Sequence, residues 1–123
     1  MKIGFIGLGN VGAKLAGSVL RNGHELTVHD LDKNAAENLL GAGAAWADTP
    51  KQLAEGSEVI ITCLPNPAAS AAVLESSDGV IAGFSAGKIW AEMSTTDAAE
   101  VQRLGAKVEA AGGSAIELSL IHI

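Results

Sequence analysis

Three glycines near the amino terminus have the spacing of a phosphate-binding loop. Gly7, Gly9 and Gly12 form Gly-x-Gly-x-x-Gly directly after a short apolar run, and the residues that follow repeat apolar side chains with the period of a helix. In a dinucleotide site these glycines permit a tight turn, a close approach of backbone to pyrophosphate, and close packing of helix on strand. The phosphates then lie at the helix N-terminus. A glycine-rich turn without a ligand is the alternative.

An acidic residue follows the glycines at a second informative distance. Asp30 ends a segment rich in β-forming residues, 18 residues after Gly12, which is the spacing expected of a carboxylate that binds an adenosine ribose. That carboxylate would repel a 2′-phosphate, and Leu31, Asp32 and Lys33 include no Arg to bind one. The sequence therefore favours NAD, with NADP still possible. An ordinary helix N-cap or strand-end acid is the alternative role for Asp30.

A third candidate segment follows the clearest strand of the sequence. A run of β-branched residues at 58–64 predicts a buried strand of a parallel sheet, and a proline-rich turn ends it. Ligands of doubly wound sheets bind at the carboxyl ends of the strands, so Leu64, Pro65 and Asn66 are candidates to contact a cofactor. A plain strand-ending turn is the alternative.

Predicted strands and helices alternate along the chain and would bring these segments together. Strands are predicted at about residues 2–7, 24–30, 44–47, 58–64, 88–93 and from 114, and helices at about 10–21, 32–40, 50–56, 68–75 and 97–111. The third helix has a clear start, with Thr49 as N-cap, Pro50 at the first helical position and Gln52 completing a capping box. The alternation predicts an α/β fold, a Rossmann-type doubly wound parallel sheet of about six strands with helices on both faces.

Composition and charge exclude several classes of function. The chain has 123 residues, 14 acidic against 8 basic, and a formal net charge of −6. It has no basic stripe, so we expect no nucleic-acid partner. No apolar run approaches the roughly 20 residues of a membrane span, so we expect no membrane partner. The single Cys63 excludes an internal disulfide and favours a reducing, cytoplasmic location.

The remaining polar residues do not form a recognisable reactive group. The three His residues and Cys63 lack the spacing of metal ligands, so we expect no metal site. Lys88 is interpreted as an ordinary solvated charge, and Trp46 and Trp90 as packing residues. We identify no catalytic residue in the chain.

Four segments, in order, resemble the β-hydroxyacid dehydrogenases, which include 3-hydroxyisobutyrate dehydrogenase, tartronate semialdehyde reductase and, more distantly, 6-phosphogluconate dehydrogenase. They lie at 3–12, 23–30, 63–66 and 92–96, and the resemblance covers about residues 1–117 as an NAD(P)-binding domain. It implies that the cofactor-binding residues are Gly7, Leu8, Gly9, Asn10, Val11 and Gly12 at the pyrophosphate, Asp30 at the ribose, Leu64 and Pro65 in the cleft, and Thr95 near the nicotinamide.

The sequence departs from the family pattern at three positions. Val11 stands where the family usually has Met, and Ala69 stands where several members have a cofactor-binding Asn. Glu92 replaces the more usual Asp before the Ser-Thr pair. The contact made by the missing Asn is the one most affected.

The resemblance implies a reaction for a complete enzyme: reversible hydride transfer between the nicotinamide and a 3-hydroxy carboxylate or its semialdehyde. The family's catalytic Lys lies on a second, helical domain that follows the sixth strand, and we expect this chain to lack that domain. The fragment should then bind cofactor without turnover, while the complete enzyme acts on a small hydroxy acid as a homo-oligomer. Residues 118–123 read like the translation of a sequencing-library adapter, so we expect a non-native readthrough tail there.

Two other functions stay open on the sequence. One is a stand-alone nucleotide-binding regulatory module without chemistry. The other is an imine reductase, whose N-terminal domain has similar motifs and which often uses NADP. Asp30, with no Arg after it, argues against the second.

Overall fold

Strands and helices alternate in a computed structural model that describes residues 1–64, 67–93 and 98–117. The strands are β1 (Lys2–Ile6), β2 (Glu25–His29), β3 (Ala45–Trp46), β4 (Val59–Thr62), β5 (Ile89–Glu92) and β6 (Ser114–Glu117). The α-helices are α1 (Asn10–Arg21), α2 (Glu37–Gly41), α3 (Pro50–Glu55), α4 (Pro67–Glu75) and α5 (Ala98–Ala110), and short 3₁₀ helices span Lys33–Ala36 and Ile81–Gly83. The predicted caps of α5, Thr96 and Asp97, and the expected tail at 118–123 lie outside the described residues.

The strands form one sheet in the order β3-β2-β1-β4-β5-β6, and every pairing is parallel. This is the strand order of the Rossmann fold, so the predicted fold class is confirmed. The chain builds the sheet outwards from β1 in one direction and then returns to place β4 on the other side of β1. Ligands of such sheets bind at this reversal, outside the carboxyl ends of β1 and β4.

Helices cover both faces of the sheet because successive strand residues point to opposite sides. Phe5 packs with α1 and α2 on one face, and the neighbouring Ile6 packs with α3, α4 and α5 on the other. The larger buried residues of the first face are Ile3, Phe5, Leu8, Leu26, Val28 and Leu39, and those of the second are Ile6, Leu53, Ile60, Leu74, Trp90, Val101, Leu104 and Val108. The two cores fix the relative height of β1, β2 and β4, whose ends carry the candidate site.

The start of α3 agrees with its sequence signature. The hydroxyl oxygen of Thr49 accepts the backbone N–H of Gln52 at 3.1 Å. The side-chain oxygen of Gln52 accepts the N–H of Asp48 at 3.2 Å, one residue further back than a capping box predicts. The predicted N-cap is confirmed, and the reciprocal contact is displaced by one residue.

The segment after β2 differs from its prediction. A continuous helix was expected at 32–40, but the chain forms a 3₁₀ helix over Lys33–Ala36 before α2 begins. The side chain of Asp32 accepts the N–H of Asn34 at 3.0 Å and starts this tighter turn. Short polar side chains that bind nearby backbone compete with regular α-helix, which explains the difference.

Lys88 is not the solvated charge that the sequence indicated. Its side chain is half-buried, and its Nζ donates to the carbonyl oxygens of Ser57 at 2.6 Å and of Glu55 at 3.2 Å. These carbonyls lie at and just beyond the end of α3, where helical carbonyls lack intrahelical partners. The prediction for Lys88 was therefore wrong, because the residue caps a helix terminus.

None of the helices within the described ranges is long and apolar enough to span a bilayer.

Candidate dinucleotide-binding site

The turn after β1 requires two of its glycines for reasons of space. Gly7 has a φ of +99°, and a Cβ there would lie 2.2 Å from the carbonyl oxygen of Cys63. A Cβ on Gly12 would lie 2.0 Å from the carbonyl oxygen of Gly7. Both distances are far below van der Waals contact. The absence of a side chain at Gly7 therefore lets the turn pack closely against the end of β4, and its absence at Gly12 lets α1 pack closely against the turn.

Gly9 has a different environment from its two neighbours in the motif. A Cβ built on Gly9 meets no atom within 4 Å, and its backbone is extended with φ −67° and ψ −172°. Gly9 precedes α1, provides no side-chain cap, and the first turn of α1 carries no acidic residue. Val11 in that turn is 49% exposed. The loop thus leaves open space beside a helix N-terminus, whose N–H groups and dipole favour an anion.

Asp30 is joined to the glycine loop by a hydrogen bond. Its Oδ2 accepts the backbone N–H of Leu8 at 2.7 Å, and its Oδ1 accepts the N–H of Asp32 at 2.9 Å. The carboxylate is half-buried and held on both oxygens, yet each oxygen has a second lone pair for another donor. The alternative role as an N-cap belongs to Asp32, which precedes the 3₁₀ helix.

Two leucines lie at this turn: Leu8 is part of it, and Leu64 follows β4 next to it. The side chain of Leu8 is 4% exposed and packs in the core with α1 and α2. Its backbone N–H is donated to Asp30, so it contributes to the site by orienting that carboxylate. Leu64 is half-buried, and its Cδ2 lies 3.1 Å from the place that a Cβ on Gly7 would take.

Cys63 lies beside the site without the properties of a nucleophile. Burial, and secondarily the carboxylate of Glu92, raises the pKa of the Cys63 thiol. A raised pKa leaves less of the reactive thiolate at neutral pH. Cys63 directly follows β4 and is half-buried against the core with α1 and α2, which fits a packing role.

The structure gathers part of the predicted set at one edge of the sheet. Residues of the glycine loop, Asp30 and Leu64 follow the carboxyl ends of β1, β2 and β4. Pro65, Asn66 and Thr95 lie outside the described residues, as does the side chain of Asn10. These features fit a dinucleotide. The open space beside Gly9 and the first turn of α1, which has no acidic residue, suit a phosphate, and the oriented carboxylate of Asp30 suits ribose hydroxyls.

The structure also shows a buried polar group at this edge that the sequence did not identify. It consists of Thr62, Ser70, Trp90 and Glu92, each of which lies within 3.5 Å of at least one other member. The one available signal was Glu92, where the family usually has Asp. Hydrogen bonds between strands cannot be read from the spacing of residues 28 and 30 positions apart.

Comparison with known families decides which kind of domain this is. The family described as the NAD binding domain of 6-phosphogluconate dehydrogenase matches residues 2–119. The chain belongs to this family of NAD-binding domains. The match confirms the family resemblance that the four sequence segments indicated.

Two curated relatives share most of this NAD-binding domain. The 3-sulfolactaldehyde reductase of Escherichia coli (strain K12) is 37% identical over 116 residues, which cover 94% of this chain and 39% of the relative. The mitochondrial 3-hydroxyisobutyrate dehydrogenase of Drosophila melanogaster is also 37% identical over 116 residues, covering 94% of this chain and 35% of the relative. The chain thus spans less than two fifths of the length of these relatives.

Solved structures show the same fold. Psf3 in complex with NADP+ and 2-OPP is 26% identical with a TM-score of 0.87, over 92% of this chain and 40% of that one. The imine reductase of Streptomyces aurantiacus is also 26% identical, with a TM-score of 0.83 over 95% of this chain and 40% of that one. The NAD-binding domain therefore has the architecture of NAD(P)-dependent oxidoreductases.

Proposed function

We propose that this chain is the cofactor-binding domain of an oxidoreductase that transfers a hydride between NAD(P) and a 3-hydroxy carboxylate or its semialdehyde. One observation carries the proposal: the 2.7 Å hydrogen bond between Leu8 and Asp30. It joins the Asp30 carboxylate and the glycine turn at the sheet reversal, which is where dinucleotides bind in such folds. The names of the two curated relatives support the substrate class, since both act on hydroxy acids or their aldehydes.

The residues have distinct proposed roles toward the cofactor. The backbone from Gly9 to Gly12, including Asn10 and Val11, binds the pyrophosphate, while Asp30 accepts hydrogen bonds from the adenosine ribose. Leu64, Pro65 and Thr95 line the nicotinamide side. The nicotinamide supplies hydride chemistry when bound, and the domain supplies binding and orientation.

The proposed division of labour leaves proton transfer to a Lys on a separate helical domain of the complete enzyme. The 123-residue chain then binds cofactor without turnover. In the complete enzyme we propose a small hydroxy acid as substrate and a homo-oligomeric assembly. A cytoplasmic location stays a prediction from the single cysteine.

The surroundings of Asp30 favour NAD over NADP. The carboxylate would repel a 2′-phosphate, and the next residue, Leu31, is 100% exposed and offers no charge to such a group. The nearby cation Lys33 has its Nζ 5.5 Å from the centre of the Trp46 ring, which engages it in a cation–π contact. An imine reductase-like domain that uses NADP is the second candidate, supported by the similarity to the Streptomyces aurantiacus structure.

Calorimetric titration of the purified chain with NADH and NADPH tests the proposal. We expect NADH to bind at least about tenfold more tightly than NADPH, with no dehydrogenase activity on 3-hydroxyisobutyrate. Tighter binding of NADPH would favour the imine reductase-like alternative. Turnover by the chain alone would contradict the proposed division of labour, and the absence of binding to either nucleotide would contradict the function itself.

A further inference from the structure

Four buried polar side chains, Thr62, Ser70, Trp90 and Glu92, form a network beneath the carboxyl ends of β4 and β5, here termed the edge network. The indole N–H of Trp90 donates to the hydroxyl of Thr62 at 2.9 Å, and that hydroxyl donates to Oε2 of Glu92 at 3.0 Å. The hydroxyl of Ser70, on α4, lies 3.5 Å from the same oxygen. All four residues are at most 1% exposed.

The chemistry of the groups fixes the direction of the hydrogen bonds. An indole N–H can only donate, so the Thr62 oxygen accepts and its single hydrogen points to Glu92. Glu92 therefore supplies the acceptor on which the order of the network depends. Burying an acidic side chain costs free energy, and apolar residues of similar size often fill such space at lower cost. Stability alone does not account for a glutamate at this position.

The edge network lies directly behind one wall of the candidate site. Thr62 and Glu92 are the last residues of β4 and β5 and stand opposite each other in register. The carbonyl oxygen of Thr62 accepts the N–H of Met93 at 2.9 Å, so the two strand ends are tied by backbone as well. Two residues after Thr62, Leu64 lies against Gly7. A shift of Thr62 would therefore move the wall that faces the glycine loop.

The network and Asp30 lie on opposite sides of the crevice. Asp30 follows β2, whereas Thr62 and Glu92 end β4 and β5 on the other side of β1. A dinucleotide lies across this reversal with one nucleotide on each side. If Asp30 binds the adenosine ribose, the nicotinamide half lies on the side of the edge network.

We infer that Glu92 is a positioning residue that, through Thr62 and Ser70, holds the ends of β4 and α4 in the arrangement that receives the nicotinamide half of the cofactor. The side chain of Glu92 is 0% exposed, so its proposed action is indirect, without contact with the cofactor. The inference rests on the proposed function. It assigns to Glu92 a role in binding the nicotinamide half of the cofactor and no role in binding the adenosine half.

Two ligands separate this role from a general effect on folding. Calorimetry gives the Kd of NADH and of ADP-ribose, which lacks nicotinamide, for the wild-type chain and for Glu92→Leu, which removes the acceptor of the Thr62 hydroxyl. We expect the substitution to weaken NADH binding about tenfold and to leave ADP-ribose binding within about twofold of wild type. Glu109→Leu, at an exposed position of α5, is the matched control and should change neither Kd.

Thr62 offers a second pair of variants, which decides the question if Glu92→Leu does not fold. Thr62→Ser keeps the hydroxyl and should retain NADH binding, whereas Thr62→Val removes it and should reproduce the loss. In a Trp46→Phe background the remaining tryptophan emission comes from Trp90. That emission should shift in Thr62→Val and not in Thr62→Ser, because the indole N–H loses its acceptor.

Four results would overturn the inference. Equal weakening of NADH and ADP-ribose would show a general effect on the fold, and a lowered Tm with unchanged affinities would show a purely structural role. A wild-type chain that binds neither ligand would overturn the proposed function and this inference with it. Wild-type binding of both ligands with no NADH-specific loss in the variants would overturn the inference alone.

Discussion

The carboxylate of Asp30 accepts the backbone N–H of Leu8 at 2.7 Å, although the two residues are 22 positions apart. A hydrogen bond to an ionised acceptor is about twice as strong as one between neutral groups. It fixes the height of the glycine loop relative to the end of β2. The residue proposed to bind ribose therefore also orients the loop proposed to bind phosphate.

Removing the carboxylate of Asp30 should affect both the stability of the glycine loop and the binding of the cofactor. Asp30→Ala deletes the acceptor for Leu8 and Asp32, so we expect about 2 kcal/mol of lost unfolding free energy and NADH binding weakened more than about tenfold. Asp30→Asn keeps an acceptor oxygen but loses the charge that repels a 2′-phosphate. Its ratio of NADH to NADPH affinity should fall toward one. Urea unfolding and calorimetry with both nucleotides measure these effects.

Asp78→Asn, on an exposed turn, serves as the control for charge removal. It should leave the NADH to NADPH ratio at the wild-type value. An unchanged ratio in Asp30→Asn would show that Asp30 does not select the cofactor.

Gly9 and Gly12 should respond in opposite ways to the same small substitution. In Gly12→Ala the new methyl group would lie 2.0 Å from the carbonyl oxygen of Gly7, so α1 must move and we expect about 3 kcal/mol or more of lost stability. In Gly9→Ala the methyl group meets no atom within 4 Å, so the unfolding free energy should change by less than about 1 kcal/mol. That methyl group would occupy the space proposed for the pyrophosphate. NADH binding should therefore weaken in a fully folded protein.

Thermal unfolding and NADH titration of the two variants check this contrast. A Gly9→Ala protein with wild-type affinity would place the phosphates elsewhere. A Gly12→Ala protein with wild-type Tm would contradict the steric argument.

Local sequence signals were sufficient to predict the alternation of strands and helices and the position of the glycine loop. The strand, the glycines and the following helix lie within the first 21 residues, where spacing and period specify geometry directly. The Thr49 cap was predictable for the same reason, because its partner Gln52 is three residues away. These features depend on neighbours in the sequence.

The features that the sequence missed depend on neighbours in space. The acceptor of the Leu8 N–H, the burial of Lys88 against the end of α3, and the bond from Thr62 to Glu92 join residues 22 to 31 positions apart. Each partner is an ordinary polar residue in its own segment. Only the parallel register of the strands brings such residues together.

Lys88 should stabilise the fold without affecting the cofactor. Lys88→Met removes the ammonium group that donates to the carbonyls of Ser57 and Glu55, and we expect a loss of about 1–3 kcal/mol in unfolding free energy. Lys88 precedes β5 and so lies at the amino ends of the strands, whereas the candidate site lies at their carboxyl ends. NADH affinity should therefore be unchanged. Lys2→Met, at an exposed position, is the control. Equal urea midpoints for the two variants would show that the Lys88 contacts add nothing.

An ion-pair cluster between α4 and α5 should make stability depend on acid pH. The carboxylate of Glu75 accepts hydrogen bonds from Nη1 of Arg103 at 2.9 Å and from Nη2 at 2.5 Å. The ammonium group of Lys107 contacts the same carboxylate. The hydrogen bonds from Arg103 and then Lys107 lower the pKa of Glu75 from 4.5 to about 2. Because the folded-state pKa is lowered, the stabilisation is complete above pH 4.5 and is lost as the pH falls toward 2.

The Tm difference between wild type and Glu75→Gln measures that contribution. It should be positive and constant from neutral pH down to about pH 5, and it should shrink toward zero as the pH approaches 2. The side chain of Glu75 is 25% exposed, so 1 M NaCl should reduce the difference at neutral pH. Glu109→Gln, which removes an exposed carboxylate from the same helix α5, is the control for the substitution itself. A difference that grew on acidification would mean that the cluster destabilises the contact between α4 and α5.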